Sequence, residues 1–261
     1  MLRTLYTAAT GMEAQQLKMD VISNNLANAS TTGFKRVRAE FEDLLSETVR
    51  LPTAAAPGGG GEPTPLQVGL GVRTGSTTRS FAQGDAIATQ NPLDLAIEGD
   101  GFFRVSRPSG EFAYTRAGNF RLDGEGRLVT SHGERVEPGL SVPDDTLELT
   151  VKSDGTVLAR VPGRAEPQEL GVLELTTFPN PDGLLAAGHN LFEPTEAAGA
   201  PLHLRPGESG AGLLSQGYLE GANVRAVEEM IDMISTQRAY ELNSKVIQTA
   251  DAMLQRLTQL R

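Results

Sequence analysis

Near the end of the chain, residues 224–260 read VRAVEEMIDMISTQRAYELNSKVIQTADAMLQRLTQL. Apolar side chains recur here every three or four residues, which is the spacing of one face of an α-helix. They form two stripes, whereas a helix packed on a single partner needs only one. The first stripe consists of Val224, Val227, Ile231, Ile234, Leu242, Val246, Met253, Leu257 and Leu260. The second stripe consists of Met230, Met233, Tyr240, Ile247 and Leu254.

A second long helix is predicted at the other end of the chain, over residues 2–29. Its apolar seam, with one polar position, is Leu5, Ala8, Met12, Gln15, Met19, Ile22, Leu26 and Ala29. Residues 28–33 should end this helix, because short polar side chains and Gly33 favour a turn. Asn223 is the predicted N-cap of the C-terminal helix. We expect the two terminal helices to pair as a coiled coil within one chain.

The two stripes of the C-terminal helix need two neighbours, and the sequence contains no third long helix. Copies of the same chain are therefore expected to cover the second stripe. Helix pairing is predicted for Leu5, Met12, Met19, Ile22, Leu26, Ile231, Ile234, Leu242, Val246 and Met253. Contacts between subunits are predicted for Met230, Met233, Tyr240, Ile247 and Leu254. Ordinary burial inside one molecule is the alternative for every one of these residues.

Between the helices, the sequence predicts short strands separated by turns. Leu147, Leu149 and Val151 alternate with polar residues and reach a turn at residues 153–155. Turn signals at such spacing, without helices between them, indicate antiparallel sheets. The predicted fold class is α+β, with the N- and C-terminal helices paired as a coiled coil. The middle is expected to be antiparallel, β-rich and built from small modules.

The predicted domain organisation has three parts. Residues 1–45 with 218–261 form a helical core, residues 46–95 with 191–217 form an extended connection, and residues 96–190 form an outer antiparallel β domain. After the first helix, Phe34, Phe41, Leu44 and Leu45 lie in a mixed-charge stretch that suggests a short second helix.

Residues 46–66 are rich in Ala, Gly and Pro, a composition typical of a linker. The segment is longer than joining a helix to a strand requires. We therefore expect it to contact neighbouring subunits and to make their assembly straight and rigid.

Composition excludes several classes of function. The formal net charge is −10, and the acidic excess lies in the middle of the chain, which argues against nucleic-acid binding. The chain has no Cys, so disulfides and thiolate metal sites are excluded. It has no apolar run long enough to predict a membrane-spanning helix.

A search for catalytic chemistry finds no candidate. His132, His189 and His203 lie in loop-like contexts without an acidic or hydroxyl partner at motif spacing, so each is expected to be a surface residue. No combination of nucleophile, base and oxyanion donors is recognisable. The sequence therefore predicts no enzyme, no catalytic residue, no metal site and no cofactor.

Four motifs carry a resemblance to a known family. The residues NNLAN at 24–28, followed by TTGFK at 31–35, closely resemble the N-terminal signature of the flagellar rod and hook family. QRAYE at 237–241 resembles its C-terminal signature, and AIEGDGFF at 96–103 and YTRAGNF at 114–120 resemble its outer β domain. The resemblance covers almost the whole chain. Its terminal signatures map onto Asn24, Asn25, Leu26, Asn28, Thr32, Gly33, Phe34, Gln237, Arg238, Tyr240 and Glu241.

Within that family, the chain is most similar to the subunits of the distal rod. The resemblance implies a rigid hollow helical shaft in the basal body of the bacterial flagellum. Such a rod crosses the periplasm, transmits torque from motor to hook and conducts exported subunits, with the terminal helices lining its inner wall. The implied partners are further copies of the chain, the proximal rod proteins, the hook protein, the P and L ring proteins and the flagellar type III export apparatus.

Two other interpretations remain open at this point. The chain could be a proximal-rod or hook-type axial subunit of the flagellum. A rival from another class is a cell-wall-binding β module with a coiled-coil oligomeriser, against which the absence of Trp and the terminal motifs count.

Overall fold

A computed structural model describes residues 2–51, 64–164 and 166–259. The predicted α+β class is confirmed, with a helix at each end and a β-rich middle between them. The chain forms two compact units, and both are assembled from separated segments of the sequence.

Unit 1 contains residues 1–26, 37–78 and 225–261, and unit 2 contains residues 27–36 and 79–224. The division of the chain into three parts stays a prediction.

The two helices are α1 (Leu2–Ala27) and α2 (Ala226–Gln259). After α1 the chain turns, with the Thr31 N–H donating to the Asn28 carbonyl at 3.0 Å. The prediction that Asn223 caps α2 is wrong, because its Oδ1 accepts a hydrogen bond from the Arg36 N–H at 2.6 Å instead. Among the described residues, neither helix combines the length and the hydropathy that crossing a bilayer requires.

The helices of unit 1 meet at two places. Asn25 Nδ2 donates to Glu229 Oε2 at 3.2 Å, and a Cβ atom on Gly11 would lie 2.9 Å from Asn243 Nδ2. Both pairs of positions are separated by two heptads, about 21 Å of helix, and they occur in opposite order along α1 and α2. The helices are therefore antiparallel, while a regular coiled coil over their whole length stays a prediction.

The described residues of unit 1 also form four strands: β1 (Val37–Asp43), β2 (Glu47–Arg50), β3 (Leu66–Val68) and β4 (Val72–Arg79). Strand β1 pairs with β4, and β2 pairs antiparallel with β3. Strand β1 corrects the suggestion of a short second helix, since Val37, Ala39 and Phe41 alternate with more exposed residues as a strand requires.

The pairing of β2 with β3 also corrects the linker interpretation at both ends of residues 46–66. Residues 52–63, which contain the four consecutive glycines, lie outside the described residues.

The described part of unit 2 contains sixteen short strands, all within residues 86–220. These are β5 (Ala86–Ala88), β6 (Leu95–Glu98), β7 (Phe102–Ser106), β8 (Phe112–Thr115), β9 (Arg121–Leu122), β10 (Leu128–Val129), β11 (Arg135–Val136), β12 (Glu148–Val151), β13 (Thr156–Arg160), β14 (Gln168–Val172), β15 (Leu175–Thr177), β16 (Leu185–Gly188), β17 (Leu191–Glu193), β18 (Leu202–Leu204), β19 (Leu213–Gln216) and β20 (Tyr218–Glu220).

The main sheet of unit 2 has nine strands. Seven follow the order β16-β17-β8-β7-β11-β10-β9, while β15 pairs with both β7 and β18. Strands β12, β13 and β14 form a second sheet, β6 pairs with β19, and β5 pairs with β20. The registered pairs in this unit are antiparallel, as the turn spacing predicted.

Strand β7 contributes to two hydrophobic clusters, because successive side chains of a strand point to opposite faces. Phe103 lies in the larger cluster with Ile97, Val105 and Leu175. Phe102 lies in a smaller aromatic cluster with Tyr114, Phe178 and Phe192. Several of these rings meet edge to face, the arrangement that aromatic quadrupoles favour.

Candidate functional site

The carboxylate of Glu220, at the end of β20, is where two of the sequence motifs meet inside unit 2. Lys35 Nζ donates to Glu220 Oε1 at 2.6 Å, and Arg116 Nε donates to Oε2 at 2.8 Å. The Gly84 N–H donates to Oε1 at 3.0 Å. The three charged residues are almost fully buried. This ion cluster joins the N-terminal signature, through Lys35, to the inner motif at residues 114–120.

Further donors of the two cations reach backbone carbonyls. Lys35 Nζ donates to Ala82 O at 2.8 Å, and Arg116 Nη1 donates to Gly99 O at 2.8 Å and Gly101 O at 2.7 Å. Buried charges are tolerated when they are paired and hydrogen-bonded in this way. The cluster therefore joins five segments that are separated in sequence.

The electrostatics of the cluster keep its carboxylate charged. Burial alone would raise the pKa of Glu220, but the charges and hydrogen bonds of Arg116 and Lys35 outweigh that effect and hold the pKa below its ordinary value. Burial and the charge of Arg116 lower the pKa of Lys35, and Glu220 opposes this shift.

Gly33 of the N-terminal signature lies beside the ion cluster. Its N–H donates to the Glu220 carbonyl at 2.8 Å, and its φ angle of +70° is in the left-handed region. A Cβ atom at this position would lie 2.7 Å from Ala117 N, so both conformation and space require glycine. The neighbouring signature residues are also fixed, since Phe34 is buried and the Thr32 carbonyl accepts a hydrogen bond from Asn190 Nδ2 at 3.0 Å.

Asn25 of the same signature organises unit 1. Its Oδ1 accepts from the Val37 N–H at 2.9 Å, and its Nδ2 donates to the Val37 carbonyl at 2.8 Å. The same Nδ2 contacts Glu229 of α2. One buried amide thus connects α1, β1 and α2, whereas the neighbouring Asn24 side chain is exposed, and Leu26 and Asn28 are half-buried.

The structure partly buries the α1 residues that the sequence assigned to helix pairing. Ile22 is buried, and Leu5, Met12, Met19 and Leu26 are half-buried. Smaller residues, Ala8 and Ala14, are the other buried apolar positions on the helix. The contribution of the five larger residues to pairing stays a prediction.

On α2, the side that faces the interior of unit 1 is small and polar. Glu229, Thr236 and Ala250 are buried, and Asn243, which approaches Gly11, is half-buried. These four positions recur every seven residues, as one face of a helix does.

The opposite side of α2 carries large apolar residues that are exposed. The five residues assigned by periodicity to pairing with α1, which are Ile231, Ile234, Leu242, Val246 and Met253, are 40–65% exposed. Their assignment to pairing with α1 stays a prediction. Periodicity detects that a helix has two stripes, but it does not identify which stripe faces which neighbour. We call these five residues together with Val227 the outer stripe.

The residues assigned to contacts between subunits divide into two groups. Met230 and Tyr240 are exposed, while Met233, Ile247 and Leu254 are half-buried. The polar residues of the C-terminal signature, Gln237, Arg238 and Glu241, are all exposed.

The described residues contain no group of three or more His, Asp or Glu side chains placed to hold a metal ion. The three histidines are exposed, but the structure gives each a partner that sequence spacing did not reveal. His132 lies against His189, and His203 lies against Arg104 and Thr176.

Two important polar residues were missed by sequence reasoning. Glu220 is 185 residues from Lys35 and 104 residues from Arg116, so no local motif links them. Asn223, interpreted as a cap, instead donates to the Ser80 and Ala82 carbonyls, both at 2.9 Å.

Three family models match the chain in sequence order. Residues 5–35 match the flagella basal body rod protein family, residues 96–159 match the flagellar hook protein FlgE/F/G D1 domain, and residues 215–260 match the flagellar basal body rod FlgEFG protein C-terminal family. The matched ranges contain Gly33, Arg116 and Glu220. Together they define the chain as an axial protein of the flagellar rod and hook class.

Similarity to individual proteins shows which family within this class the chain belongs to. The chain is 49% identical, over the whole of both sequences, to the flagellar basal-body rod protein FlgG of Caulobacter vibrioides. It is 46% identical to FlgG of Borreliella burgdorferi over 97% of both sequences, and 40% identical to FlgG of Bacillus subtilis over the whole of both. The chain belongs to the FlgG family of flagellar basal-body rod proteins.

Proposed function

We propose that this chain polymerises through the outer stripe of α2 into the distal rod of the flagellum. As a member of the rod family, it is a structural subunit of the basal-body rod. The rod it forms is a rigid hollow shaft that transmits torque from motor to hook and conducts exported subunits. The role is structural and requires no catalytic residue.

The exposed outer stripe is the observation that carries the proposal. Ile231 is 61% exposed and Leu242 is 65% exposed, although both are large apolar residues. Apolar surfaces that are aligned over many turns and unpaired in the monomer mark sites of protein association. Because α2 belongs to every copy, a helical polymer covers the stripe of each subunit with a neighbour.

The residues of the second stripe extend this interface in our proposal. Met230 and Tyr240 are exposed and available to a neighbouring copy. Met233, Ile247 and Leu254 are half-buried, so each can contact the interior of its own subunit and the edge of another. Leu5, Met12, Met19, Ile22 and Leu26 support the α1 side of the pair.

A charge placed on the outer stripe tests the interface. We expect Leu242→Asp to abolish polymerisation of the purified protein, because assembly would bury an unpaired carboxylate. Circular dichroism of the monomer should be unchanged, since Leu242 is exposed in it. Gln248→Asp is the matched control, as it adds the same charge at an exposed polar position of α2.

Electron microscopy and sedimentation would measure the assembly. Wild-type protein and Gln248→Asp should form rods. Rods of normal length from Leu242→Asp would contradict an interface at the outer stripe, and so would loss of helix content in its monomer.

The place of this subunit within the rod is also part of the proposal. The distal position adjoins the proximal rod proteins on one side and the hook protein on the other, inside the P and L rings. Export through the type III apparatus delivers the subunits. Electron micrographs of basal bodies from cells lacking this protein should show rods truncated before the distal half, whereas complete rods would contradict the assignment.

Residues 46–66 are proposed to contact neighbouring subunits and to keep the rod straight. The length of the segment supports this role, and the paired strands β2 and β3 anchor its two ends. Removal of residues 52–63 should give flexible or curved assemblies in electron micrographs. Straight rods of unchanged diameter would refute this role.

A hook-type subunit is the second candidate, because one similarity supports it. The chain is 47% identical to the flagellar hook protein FlgE of Helicobacter mustelae over 138 residues, which cover 52% of this chain and 30% of that protein. Curved filaments from the purified wild-type protein would favour the hook interpretation, and straight rods favour the distal rod.

A further inference from the structure

His132 and His189 form a pair on the surface of unit 2. His189 Nδ1 and His132 Nε2 are 2.8 Å apart, and the ring centroids are 4.0 Å apart. Both side chains are exposed, and they border a cavity of about 340 Å³ that is also lined by Thr32, Asn119 and Asn190. Two imidazole nitrogens therefore converge at the edge of a polar, solvent-accessible cavity.

We propose that this pair is a binding site for a divalent transition-metal ion that prefers imidazole, such as Zn²⁺, Cu²⁺ or Ni²⁺. The two ring nitrogens are the protein ligands, and water completes the coordination. Nitrogens bound about 2.0–2.1 Å from one ion are roughly 2.9 Å apart at a right angle and roughly 3.3 Å apart at the tetrahedral angle. The observed separation is within a few tenths of an ångström of this range.

Two tight turns hold the nitrogens in place. His189 and Asn190 connect β16 to β17, and their φ angles of +52° and +59° are those of a two-residue hairpin turn. The Asn190 carbonyl accepts a hydrogen bond from Thr115 Oγ1 at 2.9 Å, and Asn190 Nδ2 donates to Thr32 O. The backbone of the turn that carries His189 is therefore held by the sheet before any ion binds.

His132 lies in the turn between β10 and β11. The Gly133 N–H donates to the Thr130 carbonyl at 3.0 Å, and the Thr130 N–H donates to the Glu134 carbonyl at 2.8 Å. Ser131 Oγ lies 3.2 Å from His132 Nδ1, the nitrogen that faces away from His189. A polar partner on the second nitrogen orients a ligating imidazole, and the metal ion would replace the proton that Nε2 shares with His189 Nδ1 in the 2.8 Å hydrogen bond.

No other place in the chain offers two imidazoles. The sequence contains three His and no Cys, and the third histidine, His203, contacts the cation of Arg104 at 3.1 Å. A positive neighbour disfavours a metal ion there. Binding by an imidazole-preferring metal should consequently depend on His132 and His189 alone.

Calorimetric titration of the untagged, full-length protein with Zn²⁺ at neutral pH tests the proposal. We expect one ion per chain and a dissociation constant weakened at least about tenfold in His132→Gln and in His189→Asn. Asparagine tolerates the left-handed conformation at residue 189, so the turn should persist. His203→Gln is the control and should bind as wild type does.

Nuclear magnetic resonance of the histidine side chains identifies the ligating atoms. Zn²⁺ should shift the signals of His132 Nε2 and His189 Nδ1 and leave those of His203 unchanged. Absence of binding by the wild type, or full binding by the His132→Gln, His189→Asn double variant, would overturn the proposal. Because the measurement is made on soluble subunits, its outcome is independent of assembly into a rod.

Discussion

Glu220 joins distant segments of unit 2 through a buried ion cluster. Its carboxylate pairs two buried cations, Lys35 and Arg116. A buried ion cluster often stabilises a protein no more than apolar side chains in place of all its members would. Removing only one partner is different, because the remaining charges stay buried without compensation. The loss of Glu220 should therefore cost far more than the loss of a surface acid.

We expect Glu220→Gln to lower the free energy of unfolding by roughly 3–5 kcal/mol. Glutamine preserves the size of the side chain but leaves Lys35 and Arg116 without a counter-charge. Denaturant unfolding measures the effect. Glu166→Gln is the matched control, because Glu166 is exposed, and it should change stability by no more than about 0.5 kcal/mol. Equal stability of the two variants would show that the cluster is not required.

The stabilising effect of Glu220 should also depend on pH. Its pKa is lower in the folded chain than its ordinary value of 4.5. The contribution is therefore fully present above that value and is lost as the pH falls through the folded pKa. The difference in unfolding free energy between wild type and Glu220→Gln should shrink below pH 4.5. A difference that stayed constant through this range would contradict ionisation of the carboxylate.

Gly33 offers a second prediction at this scale. Alanine at position 33 must adopt a positive φ and place its methyl group against the backbone of Ala117. The left-handed conformation alone costs a non-glycine residue roughly 1–2 kcal/mol. We therefore expect Gly33→Ala to lower the free energy of unfolding by well over that amount. Gly110→Ala is the matched control, since Gly110 has a φ of +85° and no heavy atom within 4 Å of an added Cβ. Thermal unfolding compares the two, and similar losses would exclude steric conflict at residue 33.

The sequence could predict some of these residues and not others. Gly33, Lys35 and Arg116 were visible because they belong to recognisable motifs. Glu220 has no such context, and its role arises only when distant segments fold together. For the same reason, His132 and His189 were interpreted as separate surface residues, since 57 residues lie between them.

Among the elements, the two terminal helices were predicted almost completely, but the polar and glycine positions at which they meet were not. Periodicity gave their existence and nearly their boundaries, because long amphipathic patterns are strong signals. Their facing sides carry Gly11, Asn25, Glu229 and Asn243, which hydrophobic patterns ignore. Strand β1 was misinterpreted for a related reason, since a few apolar residues in a charged segment fit both the helical period and the strand period.

The close approach of Gly11 and Asn243 can be tested by a double-mutant cycle. Replacing Gly11 by alanine should stabilise α1 by up to about 1 kcal/mol. When Asn243 is present this gain should be smaller, because the Asn243 side chain must move to make room for the methyl group. In an Asn243→Ala background the full gain should appear. Unfolding free energies of the four proteins give the coupling, and perfectly additive effects would indicate that the two residues do not meet.

At the scale of the whole molecule, both units are discontinuous in sequence. Unit 1 includes both termini, and unit 2 includes residues 27–36 as well as 79–224. Sequence patterns could not reveal this arrangement, because they report local order and not the segments that close each unit.

A pair of truncations tests how unit 2 is closed. A chain ending at residue 224 retains Glu220, and a chain ending at residue 217 lacks it together with β20. We expect cooperative thermal unfolding of unit 2 in the longer chain and its absence in the shorter one, followed by near-ultraviolet circular dichroism. Cooperative unfolding of both would show that the ion cluster is not needed for closure.

Glu220 follows its two cationic partners in the sequence, and this order affects when unit 2 can fold. Lys35 is synthesised before its counter-charge, which follows 185 residues later in the sequence. Desolvating Lys35 and Arg116 before then would be costly, and contacts of such long range form slowly. The native core of unit 2 thus waits until β20 is available. A subunit whose unit 2 stays open until then is suited to passage through a narrow conduit as an extended thread.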